Sequence, residues 1–266
     1  MYALYLDTMA VVRRFGRPTY FITFTANPSW PEITAHLLPG QLTTDRPDLV
    51  ARVFHIKLKH LLKDLTQHQW FGRALAWTWV VEFQKRGLPH AYILLTVSAA
   101  DRPNTPEAVD ERVCAEIPPN TDGTQANLLE IVSKCMLHGP CGVRNPYAPC
   151  IREDGSCKHD FPKDFSSDTV LPAELYPRYR RRDNGIVVRK GDALMDNRDV
   201  VPYSPLLLKK YAAHINVEVV ANIRLVKYIF KYTFKGHDQA HVELGQPHDH
   251  NSTEGKTNNS DRMVCP

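Results

Sequence analysis

The stretch Ala74–Val97, reading ALAWTWVVEFQKRGLPHAYILLTV, decides the fold. Trp77, Trp79, Val81 and Phe83 alternate with Thr78, Val80 and Glu82, the period of two that marks a half-buried strand. Ala91–Val97 is apolar and β-branched, a second strand. The turn Gln84–Pro89 between them joins the two as an antiparallel hairpin. Thr19–Thr25 (TYFITFT) is a third strand, and the hairpin is expected at the centre of the sheet with Phe21–Thr25 beside it. In a strand, His90 and Tyr92 share one face, and Glu82 falls on the same side within about one residue of register.

Outward from the hairpin the chain becomes helical. Tyr2–Phe15 has a helical composition, Asn27–Pro31 breaks the strand before it, and a short helix follows to Leu38. Asp45-Arg46-Pro47 opens a helix whose apolar stripe is Leu49, Val53, Ile56, Leu58, Leu61, Leu62 and Leu65. Its other face carries Arg52, Lys57, Lys59, His60 and Lys63. Val109–Ile117, Thr124–Leu137 and Glu218–Lys235 also read as helical. Gly139–Pro162 has no period and is too long for a bare loop in a compact domain, so something besides apolar packing is expected to order it. Gly245–Asp261 is polar and is expected to be disordered.

At 43% hydrophobic and 23% charged residues, the chain has the means to build a packed core. No run approaches the roughly 20 apolar residues of a membrane helix, and no secretory signal opens it, so the expectation is an intracellular protein without a membrane partner. Its six cysteines are then read as thiols or metal ligands rather than disulfides. The net charge is +4. From His237 onward, Lys256 and Arg262 face Asp238, Glu243, Asp249, Glu254 and Asp261, so the body is more basic than the total and suits a polyanion.

Four constellations bear on chemistry. His90 and Tyr92 occupy a strand face on which metal-dependent nucleases place paired imidazoles, though a lone strand histidine also serves structure. On a helix, Tyr228 and Tyr232 stand at i and i+4, with Lys231 and Lys235 each three residues on. A tyrosine hydroxyl can attack a phosphodiester and an ammonium can steady the developing charge; the same pattern also suits aromatics packed on a sheet. In the Cys/His-rich segment at about 135–163, beginning at Cys135, the residues His138, Cys141, Cys150 and Cys157 or His159 supply the four soft ligands of a structural zinc. In Tyr176–Arg182, Arg178, Arg180, Arg181 and Arg182 can fork onto phosphates beside tyrosines that stack on unpaired bases, or form a solvated face.

Taken in order, these segments resemble the N-terminal domain of Helitron-type rolling-circle transposases, the Helitron helicase-like domain. The likeness runs through Phe21–Pro28, Asp45–Phe54, Val81–Ala91, Leu137–Gly142, His159–Lys163, Tyr179–Arg182, Val201–Tyr203, His214–Glu218 and Lys227–Tyr232, and covers about residues 1–240, leaving 241–266 as a tail. The resemblance implies an α+β fold of the HUH, replication-initiator type: an antiparallel sheet of about five strands flanked by helices, here with the Cys/His-rich insert. It implies a nickase and strand transferase for single-stranded DNA, acting in the nucleus. Tyr228 and Tyr232 would be nucleophiles, and His90 and Glu82 ligands of magnesium or manganese. In place of the family's second histidine stands Tyr92, a poor ligand for such cations because a phenol's pKa is about 10. Full-length relatives continue into a helicase, but this chain has no GxxxxGK[ST] loop. The expectation is a nickase impaired by Tyr92 and by truncation; the alternative is a catalytically dead, zinc-stabilised module that only binds nucleic acid.

Overall fold

The computed structural model describes residues 12–83, 88–120, 123–172, 177–220 and 241–244. Strand β1 (Tyr20–Thr25) leads through a short helix α1 (Pro31–Thr34) to the long helix α2 (Pro47–Thr66). The hairpin follows as β2 (Ala74–Phe83) and β3 (Pro89–Val97), so the second strand starts two residues earlier than its apolar run. Next come α3 (Pro106–Asp110), α4 (Ala126–Cys135), the small ribbon β4 (Val188–Lys190) with β5 (Ala193–Met195), α5 (Pro205–Tyr211), β6 (Ile215–Val219) and β7 (His241–Leu244). The main sheet has the order β6-β1-β3-β2-β7 with every neighbour antiparallel. This is an α+β architecture with five strands in the main sheet and β3 at its centre.

Alternation divides the sheet into two chemically different faces. Tyr20, Ile22, Phe24, Ala91, Ile93, Leu95, Val97, Ile215, Val217 and Val219 lie on the core face, with Trp77, Trp79 and Val81 packed against them. Helix α2 contributes Val53, Phe54, Leu58, Leu61 and Leu65 to the same core. Ile56 does not join this stripe and is exposed, because its place on the helix turns it away from the sheet. Asp64 is buried instead: its carboxylate accepts hydrogen bonds from Lys210 Nζ at 2.8 and 2.6 Å and from the Tyr211 hydroxyl at 2.5 Å, joining α2 to α5. Burial alone would raise the Asp64 pKa, but Lys210, Tyr211 and His68 hold it below the ordinary value.

Beyond the hairpin the helical expectations hold less well. Within Val109–Ile117, helix α3 ends at Asp110, and Cys114 forms an antiparallel bridge with Tyr203. There Cys114 and Tyr203 exchange backbone hydrogen bonds of 2.8 and 2.9 Å, so the long-range pairing with the segment before α5 replaces the helical one. Glu218 lies in β6, where INVEV alternates buried and half-buried residues; the remainder of the Glu218–Lys235 reading lies outside the described residues beyond 220. The tail expected at Gly245–Asp261 and the first part of the Tyr2–Phe15 helix lie outside them too. Among the described residues no helix is long and apolar enough to cross a membrane.

Candidate functional site

The face of the sheet opposite the core carries Phe21, Thr23, Thr25, Thr78, Val80, Glu82, His90, Tyr92, Asn216 and Glu218, placed by the strand registers. In those registers Glu82 pairs with His90, and His90 pairs with Thr25. The Thr25 amide donates to the carbonyl of His214 at 3.0 Å, one residue before β6 begins. Glu82, His90, Thr25 and His214 thus form one row across four neighbouring chain segments. Directly paired residues share a face, with Cβ atoms about 5 Å apart.

His90 is buried, and its Nδ1 lies 2.5 Å from the Thr25 hydroxyl oxygen. An imidazole that holds a cation through Nε2 carries its proton on Nδ1, so Thr25 would then accept that hydrogen bond and fix the ring. Burial, with a smaller contribution from His214, pushes the His90 pKa down to about 4. Its ring is therefore neutral at pH 7 and keeps a lone pair for a ligand. His214 is held by a hydrogen bond between its Nδ1 and the carbonyl of Cys135 at 2.8 Å, and burial lowers its pKa as well. The sequence reading had His214 only as part of a motif. What it missed was the register that brings Thr25 and His214 into line with His90.

Tyr92 stands two residues after His90 on the same strand face. Its ring meets the His90 ring edge-on at 4.6 Å and lies parallel to Phe21 at 6.0 Å. Glu82 and His90 are chemically suited to magnesium or manganese, but the phenol beside them is not. Tyr228, Tyr232, Lys231 and Lys235 lie outside the described residues.

A second site gathers in the Cys/His-rich insert. One ligand atom each from His138, Cys141, Cys150 and Cys157 lies within 4.8 Å of the others. Cys157 Sγ is 3.5 Å from His138 Nε2. This cluster can bind a metal such as zinc. His159 is not among the four: its backbone amide donates to Cys157 Sγ at 3.4 Å, and its ring stands 5.9 Å from that of His138. Cys135 contributes its carbonyl to His214 rather than its thiol to the cluster.

The arginine run is mostly committed to internal contacts. Arg181 is buried, with Nη1 at 2.6 Å from the Asn197 carbonyl, 2.7 Å from that of Val200 and 3.3 Å from that of Ala115. Arg182 grips buried Glu116 with two bonds of 2.8 and 2.6 Å, and Arg180 pairs with Asp110 at 3.1 Å. Arg178 is exposed and makes no ion pair among the described residues. A charge run in sequence does not reveal buried acids such as Glu116 that will neutralise it.

Residues 1–95 match the family model of the Helitron helicase-like domain at N-terminus. The match takes in β1, α2, β2 and most of β3, and so includes Thr25, Glu82, His90 and Tyr92. It agrees with the resemblance read from the sequence, and it supports a function related to Helitron transposition and contact with nucleic acid. The cysteine cluster and the arginine run lie beyond the matched part of the Helitron helicase-like domain. No curated protein matches the chain.

Proposed function

We propose that this chain is the DNA-processing domain of a Helitron-type transposase, built to nick and rejoin single-stranded DNA and impaired in this sequence by Tyr92. The observation that carries this reading is the Glu82–His90 cross-strand pair on the polar face of the sheet, with Thr25 fixing the imidazole. A divalent cation bound there would polarise the scissile phosphate. The chain's own part is to supply the nucleophile: the hydroxyl of Tyr228 or Tyr232 attacks phosphorus, the P–O3′ bond breaks, and the leaving 3′ oxygen takes a proton. The 5′ phosphate stays on the tyrosine, whose own proton is lost, and rejoining reverses the exchange. Lys231 and Lys235 would steady the phosphate, and Arg178 would hold the strand.

A second reading is a module that binds single-stranded nucleic acid without cutting it. Tyr92 against His90 is the observation that favours it. Single-stranded oligonucleotides labelled at the 5′ end, to follow the released fragment, and at the 3′ end, to follow the protein-bound one, are incubated with the protein and manganese and run on a denaturing gel, which separates the two readings. Nicking with a covalent protein–DNA adduct supports the first reading. Salt-dependent binding without either product supports the second.

A further inference from the structure

We infer that His138, Cys141, Cys150 and Cys157 form a structural zinc site that fastens the 139–163 segment to the turn at Asn197–Val200. The inference is independent of the nickase reading. Three thiols and one imidazole are soft donors, which select zinc over magnesium or manganese. Tetrahedral zinc with Zn–S distances of about 2.3 Å sets its ligand atoms about 3.7 Å apart, so ligand atoms within 4.8 Å of one another need only a small contraction. On binding, the thiols give up their protons and the ion takes their place.

The surroundings are built for such an ion. The His138 ring is stacked on Phe161 at 4.3 Å, and its backbone amide donates to the Asp199 carbonyl at 2.8 Å, which together fix the imidazole. The amide of His159 aims at Cys157 Sγ and favours the thiolate. The segment has little else to order it. Its own buried cluster is Cys141, Ala148 and Cys157, so two of the three members are ligands, while Val143 and Tyr147 stand in solvent. Both ends of the loop are tied to the same turn. At one end, Leu137 bridges Val200 and Arg144 pairs with Asp199; at the other, the Lys163 amide donates to Arg198. An ion holding the start of this loop to its far side closes it over that turn. Leu137 and Met136 also pair with Val200 and Val201, close to Cys135 and its bond to His214, so the clasp abuts the end of the His90 row.

The test uses the full chain purified without chelators. Elemental analysis should find about one zinc per chain, and cobalt substitution should give the ligand-field bands of a tetrahedral ion with a sulfur-to-cobalt charge-transfer band of three thiolates. Cys150→Ser should reduce that band to two thiolates, and Cys157→Ser should weaken zinc binding by about a hundredfold or more. His159→Ala should leave both unchanged. Chelation should open Arg144, Arg152, Lys158 and Lys163 to trypsin while the sheet resists. Zinc well below stoichiometry in zinc-replete medium, an octahedral cobalt spectrum of the unmodified protein, or loss of metal in His159→Ala equal to that in Cys157→Ser would each overturn the site. The unmodified protein's cobalt spectrum decides the matter even if a cysteine variant does not fold.

Discussion

Glu82 stands directly across from His90 in the β2–β3 ladder, and Thr25 holds the other side of the same imidazole. A carboxylate and a neutral imidazole on paired strands are set by backbone register, not by flexible loops, so their spacing is rigid. The burial that keeps this imidazole neutral makes its protonation costly, and that cost shows in stability at low pH. A buried His90 resists protonation, whereas the unfolded chain takes up a proton near pH 6.5.

That difference fixes the sign of a pH effect. The His90 pKa falls to about 4 on folding, so the contribution to stability is intact above about pH 6.5 and is lost as pH drops toward 4. At pH 5 the loss is about 2 kcal/mol relative to neutral pH. His138, His159 and His214 are also lowered by burial and act in the same direction, so the comparison must isolate one residue. Urea midpoints of the parent and His90→Gln at pH 7.5 and pH 5 do so. The parent should lose more stability than the variant between the two; equal losses would remove His90 as the cause.

The arginines separate structure from binding. Removing the Arg181 guanidinium strips three backbone carbonyls of their donor, and Arg181→Met should cost about 3 kcal/mol or more. Arg178→Ala should leave stability within about 0.5 kcal/mol, since it alters only an exposed side chain. If Arg178 contacts phosphate, its loss lowers the salt slope of single-strand binding by about one. Thermal melts and binding titrations at several salt concentrations check both. An unchanged melting curve for Arg181→Met would contradict the buried clasp.

Asp64 is the polar tie between α2 and α5. Asp64→Ala leaves the Tyr211 hydroxyl and the Lys210 ammonium without their acceptor, at a cost of about 2–4 kcal/mol. Asp64→Asn keeps an acceptor and should cost less. Chemical denaturation of the two variants gives the order; Asn worse than Ala would mean that the carboxylate is not the tie.

The sheet was legible because its strands alternate: Trp77 to Glu82 read as half-buried, and β1 as β-branched. The short strand Ile215–Val219 alternates as plainly, but at five residues it is too brief to stand out, and the helical reading that starts at Glu218 cuts off its last two residues. Asp64 and Glu116 were invisible for a different reason. Nothing local to either residue announces that Lys210 or Arg182, far away in sequence, will arrive to neutralise it. The cysteine cluster was legible as a set, but the choice of Cys157 over His159 needed the geometry, since the two stand only two positions apart. The His90 row depended on register across three ladders, which no periodicity within one strand can supply.

The remaining prediction concerns the phenol beside His90. Tyr92→His puts an imidazole on the same strand face, two residues from His90, and removes the ring now packed edge-on against it. With Glu82 it completes three donors, and manganese affinity should rise by about tenfold or more. Isothermal titration of the parent and the variant measures this without any need for turnover. Nicking of a labelled single strand should rise with it, and the covalent adduct should vanish when Tyr228→Phe and Tyr232→Phe are added, since no hydroxyl then remains to attack phosphorus. Phe21, which stacks on Tyr92, would lose a partner, so a modest drop in melting temperature is expected alongside the gain in metal binding. A folded Tyr92→His protein that binds manganese no better than the parent would show that Glu82 and His90 do not form a cation site. A parent that already nicks efficiently would show that Tyr92 does not impair it.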